Sequence, residues 1–386
     1  MGLANLPLTK IGNLEFYLIQ GGMGVGISQA GLASAVANEG GAGIIASVGL
    51  GAIKGYFNEE LQKNSVQLKE SNSSEKKLIF NRLYAQANKL ALNEEIQIAR
   101  KKTNGVIGVN IMHALSDYSS LIEGAIEGKA DLIISGAGIP RDLPSYLNGS
   151  KTMLVPIVSS ARLTDMLCKS WARQGHLPDA IIVEGPKAGG HLGYSYEELK
   201  DNDFVENGLA RILSEVIKVV KTYEVQSGKN IPVIAAGGIF YGGDIRKARE
   251  EWKVDGVQMA TRFVTTYECD ASEQFKQTYI TCNEQDLRII KSPVGMPGRA
   301  ITNNFLNKVE QGEKVPIVCP YHCLKTCVPE ESPYCIANAL SFALKGNFEN
   351  GYAFAGSNAW RCKEIISVKE LFSKLDEEYG QRKVSD

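Results

Sequence analysis

The sequence contains eight short apolar runs, each followed by small or polar residues and then by a helical pattern, and this feature constrains the fold most. The runs are residues 14–20, 42–46, 106–110, 132–135, 153–158, 180–184, 232–236 and 256–259. Short runs rich in branched residues that alternate with helices are typical of parallel βα units. Eight units favour a closed (β/α)8 TIM barrel. An open doubly wound sheet uses fewer units and carries a dinucleotide fingerprint after its first strand.

Two segments of the chain are additional to a minimal barrel. Residues 51–104 are rich in Lys, Glu, Gln and Asn, which predicts a helical insertion after the second strand, either part of a lid or a solvated arm. Residues 270–386 hold most of the cysteines and further helical patterns. We therefore expect a barrel domain over residues 1–269 and a cysteine-containing C-terminal extension over residues 270–386 that packs on it.

Composition narrows the choice of partner. The 386 residues include 42 basic and 43 acidic side chains without a long basic run, so nucleic acid and anionic lipid are not expected partners. No apolar stretch reaches the ~18 residues of a membrane helix, and the first twenty residues lack a signal-peptide pattern. We expect a cytoplasmic protein that acts on a small molecule, with its oligomeric state, a homodimer included, left open.

Glycines follow several of the predicted strands. They occur at residues 21–24, 136–138, 189–190 and 237–238. In a barrel the site is built at the carboxyl ends of the strands, where glycine also lets the backbone approach a ligand. Gly237 and Gly238 follow strand seven, and Ala260 and Thr261 follow strand eight. Barrels commonly bind phosphate there through backbone N–H groups and a short helix N-terminus, which predicts a phosphate site.

His191 is the candidate acid or base. It is one of four histidines and the one that directly follows two glycines at the end of a strand. An ordinary pKa near 6.5 suits proton exchange at neutral pH. The alternative is a loop histidine that only bonds backbone. His113, His176 and His322 have weaker claims, since His113 is expected to pack or face solvent and His176 lies on the far side of the barrel.

Together these residues resemble the nitronate monooxygenase family, once called 2-nitropropane dioxygenases, which includes flavin-dependent enoyl-acyl-carrier-protein reductases. The resemblance runs from about residue 14 to about residue 304. Its segments are residues 20–24, 108–110, 184–191, 235–239 and 261–263, of which Ala-Gly-Gly-His at 188–191 is the most specific.

The resemblance implies an FMN-binding barrel with particular cofactor contacts. Those residues are Gly22 and Met23 along the isoalloxazine, Asn110 as a hydrogen-bond partner, Gly189 and Gly190 beside the cofactor, and Gly237, Gly238, Ala260 and Thr261 at the phosphate. Ala260 stands where many relatives have glycine, and its methyl would hinder close phosphate approach. Residues 292–300 resemble a loop that closes over the cofactor in reductase-like members, with Arg299 as an anion clamp. Lys187 either attracts an anionic group or is a solvated surface lysine.

Four cysteines lie close together in the extension. They are Cys319, Cys323, Cys327 and Cys335, in the pattern Cys-x3-Cys-x3-Cys-x7-Cys. Four thiolates at this spacing predict an iron–sulfur cluster or a structural zinc. The alternative is reduced cysteines packed as small apolar residues, three of them on one helix face.

Three functions remain in competition at this point. The first is an FMN-dependent nitronate monooxygenase that oxidises alkyl nitronates with O2 to a carbonyl compound and nitrite, with His191 as base. The second is an NAD(P)H-dependent flavin reductase of enoyl thioesters, with His191 as proton donor. The third is a flavin and iron–sulfur module for electron transfer or binding.

Overall fold

The computed structural model describes residues 3–381. The strands in that range are β1 (Thr9–Ile11), β2 (Leu14–Phe16), β3 (Ile19–Gln20), β4 (Gly43–Ala46), β5 (Ile107–Met112), β6 (Leu132–Gly136), β7 (Met153–Val158), β8 (Ile181–Glu184), β9 (Gly190–His191), β10 (Val233–Ala236), β11 (Gly256–Met259), β12 (Leu287–Lys291) and β13 (Pro297–Ile301). The α-helices are α1 (Ala30–Asn38), α2 (Leu50–Ile53), α3 (Tyr56–Lys63), α4 (Ser65–Glu70), α5 (Ser73–Lys102), α6 (Tyr118–Glu127), α7 (Ala161–Ala172), α8 (Asn202–Ser227), α9 (Gly242–Glu250), α10 (Thr261–Val264), α11 (Glu273–Thr281), α12 (Asn304–Glu310), α13 (Ile336–Leu344) and α14 (Val368–Gly380).

Eight parallel strands form the predicted barrel. Their order in the sheet is β3-β11-β10-β8-β7-β6-β5-β4, so neighbours in the barrel follow one another along the chain. A parallel bridge between Ile19 and Ala42 joins β3 to the start of β4 and closes the ring. The TIM-barrel prediction is therefore confirmed.

The first predicted strand, residues 14–20, is wrong as a single element. Its first half, β2, pairs antiparallel with β1, and only Ile19 and Gln20 enter the barrel. Ile11 and Phe16 of this hairpin are buried with the side chains that fill the barrel interior, including Leu132 and Ile182. Some apolar residues of the predicted strand therefore belong to this hairpin and not to the barrel sheet.

Aspartates at the amino ends of three strands help to hold the register. Asp131 accepts a hydrogen bond from the backbone N–H of Ile107 at 2.8 Å, and Asp179 accepts one from Leu154 at 2.7 Å. Asp255 does the same for Val233 at 2.9 Å. These side-chain hydrogen bonds thereby hold together the end of the barrel opposite the strand carboxyl ends.

The helical insertion forms as predicted and includes an outer helix of the barrel. α5 provides the crossover between β4 and β5, and one side of it, including Ala91, Leu92 and Ile96, is buried in the layer between strands and helices. Its N-terminus has a capping box between Asn72 and Glu75. At the other end of the insertion, Phe57 and Tyr84 form an aromatic cluster with Tyr321 of the extension.

The extension packs on the barrel at two places that matter for the site. α14 lies beside α9 and α1 in the outer helix layer, where the Asp376 carboxylate accepts the backbone N–H of Leu6 at 2.8 Å. The hairpin of β12 and β13 adds β9 as a third antiparallel strand, pairing Gly298 with His191 and Arg299 with Gly190. No helix within residues 3–381 has the length and apolar character needed to cross a membrane.

Candidate active site

A cavity of about 620 Å³ opens at the carboxyl ends of the barrel strands. All ten residues predicted as catalytic or cofactor-binding line it. They are Gly22, Met23, Asn110, Gly189, Gly190, His191, Gly237, Gly238, Ala260 and Thr261. The structure thus brings together residues that lie up to 239 positions apart, although their roles remain predictions.

Gly22 lies at the point where the first loop passes over β5. A Cβ atom at this position would overlap the Asn110 side chain and lie 3.3 Å from Cγ2 of Ile44. Only glycine therefore allows the loop to run this close to Asn110. Beside it, the Ala260 methyl lies 3.3 Å from the Cβ position of Gly21, so it packs on the first loop.

Gly237 and Gly238 form the turn after β10, with φ angles of 90° and 84°. Positive φ at two successive residues exposes backbone N–H groups in a way that side chains rarely permit. The extension completes this corner, because Asn358 donates from Nδ2 to the Gly238 carbonyl at 2.7 Å and Ser357 also lines the cavity. Sequence reasoning missed both residues, since they lie more than 100 positions from the turn.

His191 is held on the cavity wall by the extension. Its Nε2 is 2.8 Å from the Ser292 hydroxyl, and its ring packs edge-on against Phe354 at 5.0 Å between centroids. Burial lowers the pKa of His191 to about 4. The imidazole is therefore neutral at pH 7 and available as a base or as a hydrogen-bonding group. Ser292 was not singled out in the sequence, although it lies in the loop where Arg299 was.

Glu184 is a second titratable group in the cavity wall. It ends β8, and burial raises its pKa to about 7. A carboxyl group that changes charge near neutral pH inside a cavity is typical of functional sites. Only its position within the Glu-Gly-Pro segment could have pointed to it.

Arg299 does not act as the predicted anion clamp. Its side chain is buried, and Nη1 donates to the carbonyl oxygens of Pro186 at 2.6 Å and Ala188 at 2.8 Å. The guanidinium thus fixes the loop that leads to His191. Burial without a carboxylate partner lowers the pKa of Arg299 to about 10.

The other predicted side chains lie away from the centre of the cavity. Lys187 touches its rim but pairs with Glu206 at 2.5 Å. His113 faces Asp142 at 3.7 Å, and His176 faces Asp179 at 3.4 Å near the opposite end of the barrel. These contacts support the packing interpretation of both histidines.

Three buried polar atoms in the cavity wall have no hydrogen-bond partner within residues 3–381. They are the hydroxyls of Ser47 and Ser357 and Oε1 of Gln258. Buried polar groups are nearly always paired, so these atoms call for a polar ligand in the cavity. They come from three separate parts of the chain, two loops and strand β11, which favours an extended ligand with several polar groups.

The outer wall of the cavity is apolar and is built by the insertion and the extension. Tyr84 stacks on Tyr321 with ring centroids 4.0 Å apart, and both rings border the cavity. Ile336 and Leu340 of α13 line the same side. The insertion is therefore part of the cavity wall, as the lid interpretation requires.

Three of the four predicted metal-binding cysteines line a cavity, but not the same one, and Cys335 lines neither. Cys323 lines the main cavity, whereas Cys319 and Cys327 line a neighbouring cavity of about 340 Å³. His322 also lines the smaller cavity, with Nε2 2.7 Å from the Cys327 carbonyl oxygen. Within the described residues, no three His, Cys, Asp or Glu side chains are arranged to hold a metal ion.

This fold and cavity define a TIM-barrel enzyme whose site lies at the carboxyl ends of the strands. The family model described as nitronate monooxygenase matches residues 5–378, and the chain therefore belongs to that family. It is a flavin-dependent oxidoreductase.

Individual relatives are similar over most of their length. A probable nitronate monooxygenase from Staphylococcus haemolyticus (strain JCSC1435) is 26% identical over 317 residues, which cover 80% of this chain and 81% of the relative. A probable nitronate monooxygenase from Staphylococcus aureus (strain MRSA252) is 27% identical over 311 residues, with 79% and 81% covered.

Solved structures agree on the architecture. FabK from Thermotoga maritima superposes with a TM-score of 0.66 at 25% identity and covers 95% of this chain and 93% of its own. A nitroalkane oxidase from Streptomyces ansochromogenes gives a TM-score of 0.65 at 21% identity, with 94% and 95% covered. The second likeness supports the fold alone.

Proposed function

We propose that this protein is an FMN-dependent nitronate monooxygenase. The cavity suits a flavin mononucleotide because it combines glycine-rich loops with the unpaired polar atoms of Ser47, Gln258 and Ser357. A flavin nucleotide carries the polar ring edge, ribityl hydroxyls and phosphate that such atoms need. When bound, FMN supplies the electron acceptor with which an alkyl nitronate is oxidised by O2 to a carbonyl compound and nitrite.

The residues divide between two ends of the cofactor. Gly22, Met23 and Asn110 would lie along the isoalloxazine, with Gly189 and Gly190 beside it. At the other end, Gly237 and Gly238 would hold the phosphate through backbone N–H groups, together with Ala260, Thr261 and Ser357. Ser357 adds a hydroxyl donor from the extension to a set otherwise drawn from the barrel.

The protonation state of His191 bears on whether nitronate oxidation or enoyl reduction is the more suitable reaction. Its imidazole is buried, neutral and oriented by the Ser292 hydroxyl at 2.8 Å. A neutral imidazole can accept the α-proton of a nitroalkane or orient a nitronate, whereas the proton-donor role in enoyl reduction requires the imidazolium. Because the lowered pKa keeps His191 neutral at pH 7 but also makes it a weaker base, it suits orienting a nitronate better than donating a proton.

The second candidate is the NAD(P)H-dependent reduction of an enoyl thioester. The apolar wall of Tyr84, Tyr321, Ile336 and Leu340 favours it, because this wall offers contact for an acyl chain that a small nitronate does not have. In that case a group other than neutral His191 must donate the proton, and Glu184, with its pKa near 7, is suited to the task.

The two candidates differ in what reduces the flavin. We expect flavin absorption bands in the purified full-length protein, bleaching of those bands by ethyl nitronate without O2, and nitrite release when O2 is admitted. Bleaching by NADH together with no response to ethyl nitronate would select the enoyl reductase. A protein that retains no flavin after incubation with FMN and removal of the unbound FMN would contradict both candidates.

A pair of histidine variants tests the assigned base. His191→Ala should keep FMN but lose roughly 10²–10⁴-fold in turnover, the range typical of a lost acid–base group. His113→Ala is the matched control, because that ring faces Asp142 and not the cavity. Equal turnover of the two variants would remove His191 from the mechanism.

A further inference from the structure

The segment between α12 and α13 carries four of the eight cysteines. We call it the four-cysteine segment; its cysteines are Cys319, Cys323, Cys327 and Cys335. All four are partly exposed, whereas the cysteines of the rest of the chain are buried, and all eight are free thiols. The segment contains no helix, so the prediction of cysteines stacked on a helix face is wrong. A shared helix face therefore does not explain why four thiols occur together here.

The segment is fastened to the barrel close to its second cysteine. Ser116 donates its backbone N–H to the Cys323 carbonyl at 3.0 Å, and Lys325 donates to the Ala114 carbonyl at 2.9 Å. A short antiparallel bridge joins Leu115 to Leu324 between these bonds. The backbone at Cys323 is thereby held against the loop that follows β5.

The thiols lie within electrostatic reach of one another. Burial, and then the neighbouring Cys335, Cys319 and Cys327, raise the pKa of the Cys323 thiol to about 12. Burial and two of the same neighbours, Cys335 and Cys327, raise the pKa of Cys319. Cys323 and Cys319 therefore lie close enough to the other thiols of the segment for their charges to interact.

An unpaired carboxylate oxygen lies beside this group. Asp117 is 5% exposed, and its Oδ2 accepts a hydrogen bond from Asn88 at 2.7 Å, but Oδ1 has no partner within residues 3–381. Asp117 lies close enough to Cys323 for the two charges to interact. A buried carboxylate oxygen without a partner is costly, and a positive centre next to it would offset that cost.

We propose that the four-cysteine segment ligates a thiophilic metal centre, either an iron–sulfur cluster or a single zinc ion, through its four thiolates. Four cysteines are a complete ligand set for both. Within the described residues, the thiols do not yet converge on one point, so the segment must draw together as the metal binds. Because it lacks helix and strand, this movement breaks few backbone hydrogen bonds.

The position of the centre connects it with the active site. Cys323 and Tyr321 line the main cavity, while Cys319 and Cys327 line the smaller one. A metal here would tie the outer wall of the active site to the barrel. The proposal does not depend on which substrate the flavin site uses.

The test is metal analysis of the full-length protein purified without oxygen, before and after reconstitution with ferrous iron and sulfide or with zinc. Iron with an equal amount of acid-labile sulfide identifies a cluster, and about one zinc per chain identifies a zinc site. Cys323→Ser and Cys335→Ser should each lower the metal content about tenfold or more. Cys168→Ala, which changes a buried cysteine of α7, should leave the metal content unchanged.

Wild-type protein that holds neither metal after reconstitution would overturn the proposal, as would metal content that survives both serine variants. If those variants do not fold, alkylation of the wild type decides the question. Peptide mass spectrometry should then show the four cysteines protected from iodoacetamide until a chelator is added. Modification of these thiols at the same rate with and without chelator would overturn it.

Discussion

The ionisation of two cavity groups predicts how turnover depends on pH. Burial lowers the pKa of His191 from 6.5 to about 4, a shift worth about 3 kcal/mol at roughly 1.4 kcal/mol per unit. Because the pKa of a base is lowered, the neutral form dominates above about pH 4, and about one molecule in a thousand is protonated at pH 7. His191 should therefore cause no change in rate between pH 5 and 9.

Glu184, in contrast, should make the rate depend on pH. Its pKa is raised to about 7, so its carboxylate form, which predominates above that pH, places a negative charge in the cavity wall. Like charge disfavours the nitronate that forms as a nitroalkane loses its proton. We expect kcat/KM for neutral nitroethane to fall as the pH rises through 7, and Glu184→Gln to remove this fall.

The assay is nitrite release by wild type and Glu184→Gln over that pH range, with kcat/KM calculated on the neutral form of the substrate. A flat profile for the variant supports both assignments. A variant that loses activity on the acid side with a midpoint near 6.5 would show an ordinary histidine pKa. That result would refute the argument that burial keeps His191 neutral.

Three substitutions test the supports of the cavity. Ser292→Ala leaves buried Nε2 of His191 without its partner and should lower the free energy of unfolding by about 1–3 kcal/mol, measured by urea denaturation, together with kcat. Arg299→Met removes the donor to two loop carbonyls and should cost a similar amount, with equal stability of variant and wild type as the contrary result. Gly22→Ala places a methyl group against the Asn110 side chain and should weaken FMN binding, measured by flavin fluorescence. The accompanying change in melting temperature should be the smaller effect.

The sequence predicted those features that depend on short stretches of chain. Each barrel strand after the first is a mostly apolar run of four to six residues, and for most of them a glycine or small residue at the end marks a loop that lines the cavity. Patterns of this kind are local, so Gly237, Gly238 and the Gly190-His191 pair could be placed without knowledge of the tertiary structure. The run at 14–20 failed because its apolar residues serve two sheets, and periodicity does not distinguish between them.

Residues brought to the cavity from a distance could not be predicted in this way. Ser292 reaches His191 across 101 positions, and Asn358 reaches Gly238 across 120. Serine and asparagine are common in loops, so nothing in their own neighbourhoods marks them. Arg299 was singled out but misinterpreted, because its acceptors are backbone carbonyls, which leave no trace in the sequence.

The extension is therefore required to build the cavity that the barrel begins. β9 is a strand of only two residues, and a strand this short is not stable by itself. It persists because β13 pairs with it and because Arg299 fixes the preceding loop. The position of His191 is thus set by residues beyond the eighth barrel strand. The predicted domain boundary at residue 269 would separate parts of the chain that line one cavity. Substitutions in the β12–β13 hairpin should therefore alter turnover even where they do not touch the ligand.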